Sequence, residues 1–264
     1  MGNHTIVTNL RRATVFLVLV SPFFYFALTV PMLYYDIGLV ERPCRDVRTI
    51  ELNGLTLFVG DIHTSGARSD SEKFQGLAEY VKTRAVSNVV VLGDLFRWRS
   101  DYDSLVPQLR DREEVIKWVL DILGLLGQGL TVYLVLGDTS HDPQDLNVNL
   151  EFDHTKFVSI GKCGMFQTHE LTVIGLHGDQ ACEGPSGFAI SVLASSMLLE
   201  RAWKERMDIP SDTWVIMAHT HVPGIDYAAK VANTGGWTET PLIRAPTAMG
   251  IVVDEQGGVH LIAF

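Results

Sequence analysis

The chain is predicted to fold as an α/β protein, an alternating strand-and-helix domain preceded by one membrane-spanning helix. Three observations predict this. From about Leu55 onward, apolar runs of strand length alternate with stretches of helical periodicity. Five of those runs end in a cluster of Gly, Asp or His. Residues 13–35, near the start, carry no charge at all.

The first strand is read at Leu55–Val59, ending in Gly60-Asp61. Glu72–Val86 follows as a helix, with Phe74, Leu77, Ala78, Val81 and Ala85 on one face. Asn88–Leu92 is β-branched and ends in Gly93-Asp94. Arg112–Leu126 places Val115, Ile116, Val119, Leu120, Leu123 and Leu126 at helical spacing. Leu130–Leu136 runs into Gly137-Asp138, and Leu171–Leu176 into His177-Gly178-Asp179. Ser186–Met207 reads as a third helix, and Trp214–Met217 leads to His219-Thr220-His221. Lys230–Ala232, Ala248–Val253 and Val259–Ala263 close the chain as strands, with turns at Gly235-Gly236 and Gly257-Gly258. No internal repeat or low-complexity stretch interrupts the pattern.

Length and charge bound the function. The 264 residues suffice for one sizeable domain and an appendage. A net charge of −10, from 31 acidic and 21 basic residues, argues against non-specific nucleic-acid binding, and no nucleic-acid partner is expected. It leaves phosphorylated substrates open, because a local cluster of cations overrides net charge. Cys44, Cys163 and Cys182 are odd in number and widely spaced, so they read as free thiols in a reducing compartment.

Residues 13–35 are 23 in number, long enough to span a hydrocarbon core with some tilt. Tyr25, Tyr34 and Tyr35 suit the interface, and Pro22 and Pro31 are tolerated in lipid. A membrane anchor is preferred to a cleaved signal peptide, since the run is long for one and no small-residue cleavage site follows. A buried core helix would have to be apolar on every face. Residues 1–48 are therefore read as anchor and tether, and 49–264 as the catalytic domain of a single-pass membrane protein. Arg11 and Arg12 precede the run, whereas Arg42, Arg45 and Arg48 follow it, which favours a cytoplasmic catalytic domain.

In open α/β sheets, ligands sit beyond the carboxyl ends of strands. The strand-end clusters would therefore meet, bringing together Asp61, His63, Asp94, Asp138, His141, His177, His219 and His221. This carboxylate–imidazole set lacks thiolate. It suits Mn²⁺, Fe²⁺ or Zn²⁺ better than Ca²⁺ or Mg²⁺. Eight donors are too many for one ion and suit two ions roughly 3.5–4 Å apart. In an extended strand end, residues i and i+2 face one side, so Asp61 with His63 and His219 with His221 could each reach a common centre.

In this order the blocks Gly60-Asp61-Ile62-His63, Gly93-Asp94, Gly137-Asp138, His177 and His219-Thr220-His221 resemble the calcineurin-like metallophosphoesterase signature. The resemblance covers about Leu55 to Trp237. It implies a four-layer αββα sandwich of two mixed sheets flanked by helices. Gly93-Asp94-Leu95-Phe96-Arg97-Trp98, His177-Gly178-Asp179 with Cys182, His219-Thr220-His221-Val222-Pro223 and Asn233-Thr234-Gly235-Gly236-Trp237 are similar to blocks of UDP-2,3-diacylglucosamine pyrophosphohydrolases.

The resemblance also implies roles. Asp61, His63 and His221 would hold one ion, Asp94 would bridge, and Asp138, His177 and His219 would hold the second, with Mn²⁺ the first choice of metal. A water activated between the ions would attack phosphorus in line. The third block departs from the family, because Asp138 stands where an Asn amide is usual and His141 comes two residues late. His141 is read as the general acid on the leaving group, with a merely packing side chain as the rival reading. Arg68, Arg97 and Arg99 follow two of the blocks and are read either as phosphate contacts or as solvated surface cations. Trp98 either meets substrate or lipid or joins the core, and His154, His169 and His260 are read as structural or surface residues.

The expected function is hydrolysis of a phosphoester or pyrophosphate in a phosphorylated small molecule or lipid-linked substrate at the membrane surface. Two alternatives stand beside it. One is a nucleotide phosphodiesterase or phosphoprotein phosphatase of the same fold. The other is a degenerate metal-binding scaffold without catalysis.

Overall fold

Why two sheets form is visible in the run Thr56–Gly60. All five residues are buried, so the strand needs cover on both faces. Leu57 and Val59 enter a core shared with helices, whereas Phe58 enters a second core shared with other strands. Asn88–Leu92 divides in the same way, with Val89 and Val91 on one side and Val90 and Leu92 on the other. The strand's period of two turns one apolar run into two interfaces.

The computed structural model describes residues 44, 47, 49–146, 148–168, 171–181, 191–192, 197–239 and 246–264. The expected anchor at 13–35, Cys182, His169 and residues 186–190 and 193–196 of the expected helix Ser186–Met207 lie outside these. Among the described residues, no helix is long and apolar enough to cross a membrane.

The strands are β1 (Thr49–Glu51), β2 (Thr56–Gly60), β3 (Asn88–Leu92), β4 (Thr131–Val135), β5 (Asn149–Phe152), β6 (Thr155–Ser159), β7 (Cys163–Gln167), β8 (Thr172–Leu176), β9 (Trp214–Met217), β10 (Gly224–Asp226), β11 (Val231–Asn233), β12 (Met249–Val253) and β13 (Val259–Ala263). Among the described residues they form two mixed sheets. One has seven strands in the order β13-β12-β2-β3-β4-β6-β5, with β2, β3, β4 and β6 parallel. The other has six in the order β1-β7-β8-β9-β11-β10, with β8, β9 and β11 parallel. Phe58, Val90, Leu92 and Val135 of the first sheet pack on Phe166, Val173, Trp214, Ile216 and Ala232 of the second. Two mixed sheets packed face to face, with helices outside, agree with the layering expected from the ordered blocks.

The helices are α1 (Asp70–Lys73), α2 (Gln75–Arg84), α3 (Arg99–Leu109), α4 (Arg112–Ile122) and α5 (Leu198–Arg206). Helices α2, α3 and α4 cover the outer face of the seven-stranded sheet, through Leu77, Val81, Tyr102, Leu105, Val115, Ile116, Val119 and Leu120. Asp111 caps α4 by accepting from the Glu114 N–H at 3.0 Å. The single helix expected over Glu72–Val86 is instead two, broken at Phe74, which serves as a fully buried anchor between them. Helix α3 has no counterpart in the sequence reading. Its polar sequence buries only Tyr102 and Leu105, and Pro107 argues against a helix. It is held by tertiary packing.

One expectation is corrected here. Cys44 and Cys163 are joined in a disulfide, with their Cα atoms 5.6 Å apart. Odd number and wide spacing conceal such a pairing, because a disulfide requires only spatial proximity. The stretch read as a free tether is therefore fastened to the first residue of β7, and β1 then pairs in parallel with β7.

Candidate metal centre

The loops after β2 and β3 run on together beyond the sheet. Asp61 N–H donates to the Gly93 carbonyl at 3.3 Å, His63 N–H to the Asp94 carbonyl at 2.9 Å, and Thr64 N–H to the Leu95 carbonyl at 2.9 Å. The backbone there is not extended as expected. Asp61 and His63 each have φ of 50°, and Asp94 has 51°. His219 (66°) and His221 (56°) share this left-handed conformation. Such strain in non-glycine residues concentrates at functional sites. It turns each side chain inward from the strand end, which alternation along a strand would not do.

Glycine lets the loops come close. A Cβ on Gly137 would lie 2.5 Å from Asp94 Oδ1, and one on Gly93 would lie 2.7 Å from both the Gly137 Cα and the His177 ring. Substitution at either position would drive a side chain into the ligand cluster.

The side chains converge on the shared carboxylates. His63 Nε2 lies 3.7 Å from Asp61 Oδ1 and 3.8 Å from Asp94 Oδ2. His221 Nε2 is 3.5 Å from Asp61 Oδ1, and His177 Nε2 is 3.3 Å from Asp94 Oδ1. His141 Nε2 is 3.8 Å from Asp94 Oδ2. Among the described residues, three groups bring their donor atoms within 4.8 Å of one another: Asp61 with His63 and His221, His63 with Asp94 and His141, and Asp61 with Asp94 and His177. His219 joins through its ring, with Nδ1 3.3 Å from His177 Nε2, and its N–H donates to Asp61 Oδ2 at 2.6 Å.

The donor set fits divalent cations. Asp61 Oδ1 and His221 Nδ1 are buried without a hydrogen-bond partner, and Asp94 Oδ1 is buried with only the His177 ring nearby, at 3.3 Å. Buried polar atoms are normally satisfied, and bound cations would satisfy the carboxylate oxygens. His177 is oriented as metal-binding imidazoles are, with Nδ1–H donating to the Leu92 carbonyl at 2.8 Å and Nε2 left facing the carboxylates.

Protonation states agree. Burial, opposed by Asp61 and Asp94, pushes His63 down to about 4. Burial would raise the Asp94 carboxyl, but His177, then His141 and His63, hold it well below the usual carboxylate range. Burial would lower His177, yet Asp94 beside it raises it well above an ordinary imidazole. At neutral pH His63 is thus a neutral base and Asp94 an anion, the forms that ligate metal, and a cation binding His177 would displace its proton.

The third block behaves differently from the others. Asp138 belongs to none of the three donor groups. Its Oδ1 accepts the Ser140 N–H at 2.7 Å in a local turn, which holds its carboxyl below the usual range against the opposing effect of burial. His141 stacks on Trp98, rings 5.1 Å apart and inclined by 22°, and its Nδ1 lies 3.3 Å from the Phe96 carbonyl oxygen. That leaves Nε2 facing Asp94.

The three arginines have partners of their own. Arg97 pairs with Asp101 at 3.1 Å, Arg99 with Asp103 at 3.7 Å, and Arg68 lies 4.3 Å over the Trp118 ring. Trp98 is 54% exposed, so the core reading of it is set aside.

Sequence reasoning missed several supporting residues. Asp142 is one of them, since both of its oxygens accept backbone N–H groups of the ligand loops. Lys73 donates to the Ile62 carbonyl at 2.9 Å, between two ligand positions, and burial pushes its amine down to about 8. Lys162 reaches the Gly137 carbonyl. Asn233 donates to the Ala218 carbonyl at 2.6 Å, just before His219, and to Glu200 at 2.7 Å. Isolated lysines carry no pattern that would have found them. Asn233 lies in the Asn233-Thr234-Gly235-Gly236-Trp237 block, which does mark it.

No protein-family model matches the chain. It is 27% identical over 139 residues to the UDP-2,3-diacylglucosamine hydrolase of Hamiltonella defensa, a match over 51% of this chain and 49% of that protein. The chain thus spans about half the length of that relative. Among solved structures it is similar to YfcE, a phosphoesterase from E. coli (12% identity, 79% of this chain and 98% of that one, TM-score 0.42). It is also similar to Vps29 of Entamoeba histolytica complexed with zinc (16%, 79% and 97%, TM-score 0.42). At these scores the structural likeness says nothing about the site. The curated relative is a hydrolase by name, as the ordered blocks lead one to expect.

Proposed function

We propose that this chain is a metal-dependent phosphoesterase that hydrolyses a phosphoester or pyrophosphate bond in a lipid-linked substrate at a membrane surface. The observation that carries the hydrolase reading is the overlap of the three donor groups. Asp61, His63 and Asp94 each belong to two of them, as a centre for two ions would require. Asp61, His63 and His221 would hold one ion. Asp94 would be shared, and His177 and His219, with Asp138 after release from Ser140, would hold the other. Two such ions would neutralise charge on the phosphoryl oxygens and lower the pKa of an attacking water. Mn²⁺ is the first choice, with Fe²⁺ and Zn²⁺ compatible with the same donors.

This chain's own residues supply the rest. His141 presents Nε2 to the cluster, with its ring held between Trp98 and the Phe96 carbonyl. From there it can protonate a leaving oxygen. Arg97 and Arg99 would have to leave Asp101 and Asp103 to meet a phosphate, so we assign them a secondary part.

The lipid-linked substrate rests on the uncharged run 13–35 and on the name of the relative matched over about half its length. The disulfide bears on orientation. Such bonds persist in oxidising compartments, so we place the catalytic domain on the non-cytoplasmic side, against the arginine count.

The test is hydrolysis by the full chain in detergent, loaded with Mn²⁺. Bis(p-nitrophenyl) phosphate should be cleaved, and an acylated nucleotide sugar should be preferred to a free nucleotide. Two bound ions without turnover on any phosphoester would favour the scaffold reading instead.

A further inference from the structure

We propose that Asp142 is the positioning residue of this site, a carboxylate that fastens the third ligand loop to the second and thereby sets the direction of Asp94. Asp142 is fully buried. Its Oδ2 accepts the Asp94 N–H at 2.9 Å and the Gly137 N–H at 2.7 Å, and its Oδ1 accepts the Leu95 N–H at 2.8 Å. Both oxygens are therefore occupied, and the side chain is not itself a ligand.

The origin of the donors separates this from an ordinary cap. A capping carboxylate satisfies N–H groups of its own turn. Here one donor belongs to the loop after β4 and two belong to the loop after β3. The same two loops approach where neither Gly93 nor Gly137 tolerates a side chain. Lys162, donating to the Gly137 carbonyl, holds the third loop from outside.

Asp142 also explains how the lengthened third block is accommodated. His141 N–H and Asp142 N–H both donate to the Asp138 carbonyl, at 3.1 and 2.7 Å. Residues 138–142 thus close into a single helical turn. The two extra residues are taken up in that turn, and Asp142 returns beside Gly137, where the turn began. Asp142 thereby stays within reach of the Gly137 N–H.

The consequence falls on Asp94, which belongs to two of the three donor groups and sits at a left-handed φ of 51°. Its N–H is held by Asp142 and its carbonyl by the His63 N–H. Without the first bond, the strained residue is free to relax toward an ordinary conformation and swing its carboxylate away.

The inference rests on the phosphoesterase reading, and its test separates the two. Full chain in detergent is titrated with Mn²⁺ by calorimetry, with electron paramagnetic resonance reporting an exchange-coupled ion pair and thermal melting reporting the fold. Asp142→Asn keeps volume and one acceptor but turns an amide N–H toward a backbone N–H. It should melt as a folded protein, bind its second ion about 10–100-fold more weakly, lose the coupled signal, and lose kcat with KM changed less than about threefold. Asp142→Ala should show the same with larger loss. If Asp142→Ala does not fold, Asp142→Asn alone decides. A variant that melts lower yet binds two ions with wild-type affinity and turns over normally would overturn the proposal and leave the phosphoesterase reading intact. A wild-type chain that binds no ion pair would instead overturn the phosphoesterase reading itself.

Discussion

The two sheets contribute unequally to the centre. The seven-stranded sheet supplies every carboxylate of the three donor groups, together with His63 and His141. The six-stranded sheet supplies imidazoles, His177 after β8 and His219 and His221 after β9. The carboxylate loops are zipped to each other by backbone hydrogen bonds and stapled by Asp142. The imidazoles are held across the gap, His177 by the Leu92 carbonyl of the opposite sheet and His219 by the Asp61 carboxylate. The charge is thus built on one rigid platform. The imidazoles after β8 and β9 arrive only when the sheets pack, so the site depends on the core between them as much as on its ligands.

The largest break in this asymmetry should come from the shared carboxylate. Asp94→Asn removes an anion common to two donor groups, and kcat should fall on the order of 10³-fold or more. The far-UV circular dichroism should be unchanged. An Asp94→Asn enzyme within tenfold of wild type would mean that the platform is not the reacting centre.

Next in size is His141. His141→Ala should lower kcat roughly 10²–10³-fold, within the range for a general acid, while two ions remain bound. Loss of an ion in the metal titration would make His141 a ligand and move the third block's contribution from Asp138 to it.

Stability effects follow. Cys163→Ser opens a disulfide that closes a sequence separation of 119 residues. Chain-entropy reasoning puts the cost at about 4–5 kcal/mol, less if native strain is relieved. The melting temperature should fall by several degrees, with kcat per folded molecule unchanged. An identical melting curve with and without reductant in the wild type would argue against the pairing and against the oxidising compartment.

A smaller, pH-dependent effect lies behind the six-stranded sheet. Burial, opposed by its own backbone N–H and by Asn233, pushes the Glu200 carboxyl up to about 7. The folded state therefore holds a proton that the unfolded state releases near 4.5. Below that pH the group costs nothing. Between there and 7, stability declines as pH rises, by up to about 3 kcal/mol in order of magnitude. Glu200→Gln should flatten this decline, so its melting temperature should gain on wild type from pH 5 to pH 8. A constant offset would show that Glu200 ionises normally.

Smallest are the arginines. Arg97→Ala and Arg99→Ala should raise KM less than about threefold, because exposed ion pairs already engage both side chains.

Much of this was legible in the sequence, for a physical reason. Asn88–Leu92 and Trp214–Met217 fall where the apolar runs place them. A strand buried on both faces must be apolar throughout, and the Gly-Asp and His-x-His ends mark where burial stops. The apolar pattern does not mark β5, β6 and β7: β5 and β6 carry exposed positions, and β5 lies at the edge of its sheet. Helix α3 was hidden by its polar surface and Pro107. In the site, ligand identity followed from residue type and order. The left-handed turns at Asp61 and His63, the staple made by Asp142 and the Cys44–Cys163 bond depend on chain segments meeting in space, and spacing along the sequence does not reveal them.

The central claim is that two cations sit between the carboxylate platform and the imidazoles. The most direct measurement is the number of Mn²⁺ ions bound per folded chain, read by calorimetric titration with paramagnetic resonance. The account predicts two ions, exchange-coupled, with the coupling lost in Asp94→Asn. One isolated ion per chain, or coupling that survives Asp94→Asn, would contradict it.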